Sequence, residues 1–411
     1  MKDVNINGYL ERALHRLGYA QNVNLHIGIN QENGDNMFEM GKNPEEGRNG
    51  KITIDKKEIY TPMYIPSRSD FLQLTRSDYV KKEYIESIDM GVHEEYFNLD
   101  RMKKIKNEKK IFKRVENTIW SKTDEIASPR KILNFEFSPD VTKIKSDYLR
   151  LLLEIQHKLD LSTITIPNTF NDWNYREAIN YSYKWKKQES IDKPLMAIVC
   201  NESHLNTVEK NLTKIDAVGI NLRRENIPLL YYVREKLKQK EIWVHSFMTP
   251  RRYNVANYDG TLGILINFFG IDTISPLVVH PETSKMFKYK SDQKSPEEKE
   301  EEAGKNKYFN PIDYGCYDFN NLENVYGSRY SLSHFCDCEV CEKNTIGEIT
   351  SDYEFTFVHS RSHDVFSNII ESHKYHESIE DEECTKYFNN KVHAKKIINK
   401  TKRPPKVTDY L

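Results

Sequence analysis

Between residues 131 and 279 the chain alternates two kinds of hydrophobic pattern in a regular series. Short, β-branched apolar runs predict strands: KILNFEFS, TITIPN, LMAIVCN, AVGINL, IWVHSFM and TISPLVV. Between them lie SDYLRLLLEIQHKL, NYREAINYSYKWKKQ, HLNTVEKNLTKI, IPLLYYVREKLKQ and GTLGILINFF, which predict helices. Strands this apolar suit a parallel sheet covered on both faces. No phosphate-binding glycine motif accompanies the series, so it favours a closed (β/α)8 TIM barrel over a doubly wound sheet. The first βα units are expected from the hairpin region and from residues 70–130.

The flanks differ. Residues 51–67 alternate apolar and polar positions around a turn and predict an N-terminal β-hairpin. Residues 1–50 are polar, with one short amphipathic helix expected near Tyr9–Leu17. The stretch 288–307 is charge-dense and almost without apolar residues, which predicts a mobile insertion loop. The expected organisation is an N-terminal extension (1–50), a TIM-barrel core (51–284), the charged insertion (285–307), a C-terminal zinc subdomain with the closing barrel helix (308–380) and a basic tail (381–411).

Composition narrows the class without naming a partner. The 411 residues are 30% charged with a formal net charge of -1, and six cysteines are too few for a disulfide framework. No signal-peptide core and no run long enough to span a bilayer are present, so a cytoplasmic, reducing setting without membrane contact is expected. The segment RMKKIKNEKKIFKR (101–114) is locally basic, either as a solvated helix face or as a phosphate-contacting surface.

Three cysteines, Cys336, Cys338 and Cys341, follow one another as C-x-C-x-x-C. Thiols so close can converge on one tetrahedral ion, with a histidine of the next helix as fourth ligand; His359, His363, His373 and His376 compete for that place. Three sulfurs and one nitrogen suit Zn2+, and four protein ligands leave no open position, so a structural role is expected. The alternative is unpaired thiols or a disulfide. Cys316 and Cys384 lie outside the cluster and carry no assigned role.

A barrel of this kind places its chemistry at the C-terminal ends of its strands. Those ends hold Asn134, Glu136, Asn168, Cys200, Asn201, Asn221, His245, Ser246 and Ser275. Several have plain readings: His245 as a satisfied core histidine, Cys200 as a small packing residue. Arg223, Arg224, Arg251 and Arg252 suit phosphate contacts or simple solvation.

The motifs TPMYIPSRSD, VHSFMTP, GIDTISP, C-x-C-x-x-C and HDVFSNIIES together resemble the tRNA-guanine transglycosylase superfamily, over roughly residues 51–375. The nearest flavour is that of the archaeosine-type enzymes and their DNA-modifying relatives. The resemblance implies a zinc-containing (β/α)8 barrel that exchanges guanine in DNA or tRNA for a 7-deazaguanine, such as the 7-cyano form, through a covalent glycosyl-enzyme. It selects His363 as the fourth zinc ligand. It also implies a homodimer, or a heterodimer with another modification subunit.

Such chemistry needs one carboxylate to attack the sugar and a second group to manage the proton on the base. The sequence departs from the family at both places. Asp272 of GIDTISP is kept, while the next family aspartate falls on Ser275, and the Asp-Ser-Gly strand end reads Leu133-Asn134-Phe135-Glu136. The base-recognition aspartate falls on Asn168, the usual glutamine on Cys200 and a glycine on Ser246. Glu136, Asp272 and Ser275 are therefore the candidate catalytic residues, with Asp272 alternatively a helix-to-strand turn residue, and Asn134, Asn168, Cys200, Asn201, His245 and Ser246 the candidate substrate contacts. Glu136 shares a strand face with Asn134 and can replace the missing base. The competing expectations are a catalytically silent paralogue that binds nucleic acid as a partner subunit, and a zinc-stabilised TIM-barrel glycosidase or nucleosidase.

Overall fold

The computed structural model describes residues 37–44, 47–222, 228–250, 253–255, 258–260, 263–278, 293–389 and 391–395. The expected Tyr9–Leu17 helix, the arginines 223, 224, 251 and 252, and the last sixteen residues lie outside the described residues. An antiparallel sheet comes first, from β1 (Phe38–Met40), β2 (Gly50–Ile54) and β3 (Lys57–Thr61), with β2 and β3 forming the hairpin.

The parallel strands follow: β4 (Met63–Tyr64), β5 (Met90–Phe97), β6 (Arg130–Phe137), β7 (Ile164–Ile166), β8 (Leu195–Val199), β9 (Ala217–Asn221) and β10 (Trp243–Thr249). A small excursion, β11 (Tyr253–Val255) and β12 (Tyr258–Gly260), precedes β13 (Thr273–Pro276). Six of these make one all-parallel sheet in the order β4-β13-β10-β9-β8-β7, and β5 pairs with β6 in parallel. Single parallel bridges, Ser67 with Val92 and Ile132 with Thr163, link the pair to the two outer strands of the sheet. The fold is thus mixed α/β, built on parallel strands joined by helical crossovers.

Strand alternation divides the core in two. Val92, Ile132, Met196, Ile198, Ala217, Trp243 and Phe247 share one buried cluster with Phe38, Ile52, Ile54 and Ile59 of the antiparallel sheet. The residues between them, such as Leu133, Phe135, Ala197, Val199, Val218 and Val244, face the helices in a larger cluster. This second layer takes its partners from helices Ser146–Lys158, Tyr175–Gln188, Glu202–Glu209 and Leu229–Leu237. The Gly263–Phe269 segment, expected as an α-helix, is a buried 3-10 helix.

After the barrel-like series come helix Pro296–Gly304, the hairpin β14 (Lys307–Asn310) and β15 (Gly315–Asp318), and several short helices. One long helix, Tyr353–Glu380, closes the fold. Part of the predicted mobile insertion is therefore ordered. Ser295 accepts from the Glu298 backbone N–H, the Glu298 carboxylate accepts from the Ser295 N–H, Pro296 takes the first helical position, and Ala303 is buried. The tail is partly anchored too: Lys391 is buried against Glu371, which also accepts from the hydroxyls of Tyr314 and Tyr387. Among the described residues no helix is long and apolar enough to cross a membrane.

Asp272 sits where its reading as a turn residue puts it. It precedes β13, at the N-terminal end of the parallel sheet and away from the strand ends where chemistry is expected. Its carboxylate is fully buried, binds the Arg48 guanidinium (Nε to Oδ1 2.8 Å) and accepts from the Val244 N–H at 2.7 Å. Arg48 completes its set on the carbonyls of Leu237, Lys238, Lys240 and Ile242. A carboxylate so enclosed is committed to holding the fold together. Replacing one partner leaves the other buried and uncompensated, so Arg48→Met is expected to lower unfolding free energy by about 3–5 kcal/mol. Urea denaturation against the parent protein measures this.

Candidate metal centre and polar interior

The three cysteines arrive on a compact turn. Cys336 follows the 3-10 turn Leu332–His334, Cys338 is the N-cap of the short helix Glu339–Glu342, and Cys341 lies inside that helix. Helix Tyr353–Glu380 brings His363 to them. The four ligand atoms of Cys336, Cys338, Cys341 and His363 lie within 4.8 Å of one another, all four residues are buried, and the group could hold a metal ion.

The surroundings fix the imidazole. Its Nδ1 faces the thiols, 3.4 Å from Cys338 Sγ and 3.2 Å from Cys341 Sγ, while Nε2 is 2.7 Å from the Phe309 carbonyl. A carbonyl can only accept, so Nε2 carries the proton and Nδ1 presents its lone pair to the cluster. The Tyr308 ring stacks on the imidazole at 4.2 Å, and its hydroxyl lies 3.4 Å from Cys341 Sγ. Burial pushes the Cys338 thiol up, while contacts from Cys338 and Cys341 hold Cys336 well below the usual thiol range. Three converging sulfurs and one imidazole nitrogen are a donor set that suits a soft divalent ion. The competing histidines are engaged elsewhere: His359 Nδ1 with the Phe355 carbonyl, and His376 Nδ1 with that of Thr61. His373 is held below its ordinary value by burial.

The residues at the strand ends divide into two groups. One is structural. Asn168 donates to the Ile198 carbonyl and accepts from the Thr169 N–H. Asn201 caps helix Glu202–Glu209 through the His204 N–H and donates to the Phe170 carbonyl. Cys200 is buried with its thiol toward the Asn168 carbonyl. The Ser246 hydroxyl pairs with that of Thr249. His245 lies between Thr273 Oγ1 (2.9 Å) and Ser275 Oγ (3.2 Å), and burial pushes it down to about 3.

The other group faces the interior unspent on packing. Asn134 and Glu136 alternate with Leu133 and Phe135 and so share the face of Ile132. Among the described residues, neither amide atom of the fully buried Asn134 has a protein hydrogen-bond partner. The Asn221 amide donates to Glu136 Oε1 at 2.6 Å. β6 and β9 have two strands between them, which would separate them by about 14 Å in a flat sheet. The contact requires a strongly curled sheet.

No family model matches the chain, and no curated protein does.

One acidic residue escaped the sequence reading. Glu94 stands opposite Asn134 in the β5–β6 register, on the face of Val92, and is half-buried. The signal was present in the alternation of GVHEEYF. The next residue, Glu95, faces outward, where His93, Arg101 and Lys122 hold it at about 2 against the opposing effect of burial.

Two tests follow from these environments. Cys338→Ser should lose most of the bound metal by elemental analysis and unfold several degrees lower. His245 has a folded pKa below its unfolded value, so the unfolded state takes up the proton first. Stability should fall as pH drops below about 6.5 and continue to fall toward 3, by up to ~1.4 kcal/mol per pH unit. A His245→Gln variant should show a flatter pH dependence of urea midpoints in that window.

Proposed function

We propose that the protein is a base-exchange transglycosylase that replaces guanine in DNA or tRNA with a 7-deazaguanine, on a zinc-stabilised (β/α)8 barrel. The observation that carries the reading is the polar interior of Glu94, Asn134, Glu136 and Asn221 at the C-terminal ends of parallel strands. The bridges Ser67–Val92 and Ile132–Thr163 support ring closure through β4, β5, β6 and β7. The contact between Glu136 and Asn221 supports the same curvature. Zn2+ is the proposed ion because three thiolates and one imidazole are its preferred structural set, and its role is to hold the cysteine turn on the long helix.

The reaction needs two carboxyl groups on one face. Glu94 and Glu136 lie on neighbouring strands two residues apart in register, which places their α-carbons about 8 Å apart. Flexible side chains from that spacing can flank a sugar. In the first half-reaction one carboxylate oxygen bonds to C1′ as the C1′–N9 bond breaks. The bond pair leaves with guanine, which takes a proton from the other carboxyl group. In the second, that group removes a proton from the incoming deazaguanine, whose nitrogen displaces the ester at C1′. The unpaired amide of Asn134, one donor group and one acceptor, suits an edge of the base. The target nucleotide must leave its stack to enter.

The silent-partner reading is favoured by one observation: neither family aspartate position supplies a nucleophile here. Asp272 is locked to Arg48, and Ser275 lies beside a histidine too weakly basic to activate it. A zinc-stabilised glycosidase or nucleosidase shares the carboxylate pair and differs in releasing the base to water. Incubation with labelled guanine or 7-cyano-7-deazaguanine and either duplex DNA or tRNA separates the three. Incorporation is expected, and Glu136→Gln or Glu94→Gln should lower it at least about 100-fold. Nucleic-acid binding without incorporation favours the silent partner; net loss of base without exchange favours the hydrolase.

A further inference from the structure

The outer face of β5 leads to a second feature, on helix Lys109–Asp124. The basic segment noted in the sequence breaks at Glu108 into two helices, Leu99–Asn107 and Lys109–Asp124. The second helix borders an open groove of about 1070 Å3 lined by Arg68, Lys109, Lys110, Lys113, Arg114 and Lys122. Their charges are not equivalent. Arg68 is paired with Glu125, Lys113 with Glu116 and Lys122 with Glu95. Lys109, Lys110 and Arg114 are exposed, and among the described residues no acidic side chain forms an ion pair with them. Three neighbouring cations without counter-charges repel one another, an arrangement that an added anion relieves.

Helical spacing adds an aromatic to this face. Trp120 is 58% exposed, one turn beyond Asn117 and two beyond Lys113. Asn117, Thr118 and Ser121 fill the spaces between with hydrogen-bonding groups. We infer that helix Lys109–Asp124 binds an unpaired stretch of nucleic acid, with Lys109, Lys110 and Arg114 on its phosphates and Trp120 stacked on a base. Every base has a π-face, so an exposed indole beside a cationic track grips single strands with little regard to sequence. A lipid surface fits less well. Val115 and Ile119 are buried and Ile111 and Phe112 half-buried in the core, which leaves no apolar stripe to enter headgroups.

The helix is held in place from behind. Lys122 and Arg101 both grip Glu95, the outward neighbour of Glu94 on β5. One strand therefore carries both an interior carboxylate and the anchor of the outer surface. This inference deepens the proposed function by naming a docking surface for its substrate class, yet binding tests it without any exchange reaction.

Fluorescence anisotropy of labelled single-stranded DNA, single-stranded RNA and duplex DNA over a salt series gives the measurement. Lys109→Ala/Lys110→Ala/Arg114→Ala should weaken single-strand binding at least about tenfold at low salt. The slope of log K against log salt should fall by about 2, as three lost contacts at roughly 0.7 each require. Trp120→Ala should weaken single-strand binding about tenfold, leave duplex binding unchanged, and be largely rescued by Trp120→Phe. The DNA and RNA arms identify which strand is preferred. Unchanged affinity and slope in the triple variant would overturn the inference, as would a parent protein that binds neither single strand. Loss of binding to phosphatidylserine vesicles, with oligonucleotide binding intact, would overturn it in favour of a membrane surface. Weakened oligonucleotide binding alongside a null exchange assay upholds the surface and removes only the enzymatic reading.

Discussion

His363 is the residue through which the C-terminal third is tied together. Its Nε2 is committed to the Phe309 carbonyl on β14, its ring to Tyr308, and its Nδ1 to the cysteine turn. A flipped ring would turn carbon atoms toward both the thiols and the carbonyl, so the Phe309 carbonyl fixes the orientation in which Nδ1 faces the cysteines. The helix that carries His363 also holds the parallel sheet. Ser372 accepts from the Tyr64 N–H, Arg361 pairs with the buried Asp70, and His376 reaches the Thr61 carbonyl. One helix face is therefore registered against the cysteines while another is registered against β3, β4 and the helix Arg68–Leu74. The apolar cluster around the cysteines is small, with Phe319, Leu322, Leu332 and Val340 among its members, so cross-linking by an ion would add what its modest burial lacks.

The period of two along β5 and β6 divides charge between two surfaces. Glu94 turns inward toward Asn134 and Glu136, and Glu95 turns outward to Arg101 and Lys122. Glu95 is tolerated under burial because three donors surround it, whereas Asn134 remains with its amide unmatched. An unmatched buried amide costs about 1–3 kcal/mol. The outward carboxylate and the inward amide are thus opposite solutions to the same burial.

Much of this architecture was legible in the chain. The parallel strands between 131 and 279 fall where β-branched runs predicted them, because both faces of such a sheet must be apolar. The cysteine spacing placed three ligands, and a helix-borne histidine completed the set. The strand-end residues were less readable. Asn168 and Asn201 carry the same amide as Asn134, and only the carbonyls and N–H groups within reach decide that two of them are satisfied by backbone and one is not. Asp272 could not be separated from a catalytic aspartate without Arg48, which meets it across 224 positions of sequence. The helix Pro296–Gly304 did carry its own capping box, but a charge-dense composition obscured it.

On the proposed reaction, these placements move the chemistry around the ring. β13 contributes Ser275, whose hydroxyl is bonded to a neutral His245 and to the Ser246 carbonyl. A histidine pushed down to about 3 accepts a proton from a serine only at large cost, so that pair is a packing network. The attacking carboxylate then has to come from β5 or β6. Both candidate carboxylates on neighbouring strands approach the sugar from one side of the interior, and Asn221 reaches Glu136 from across it. Adding a side chain at Gly219 would meet Ile198, Phe247 and Met196 together, so this part of the interior is as constrained by close packing as the carboxylates are by register.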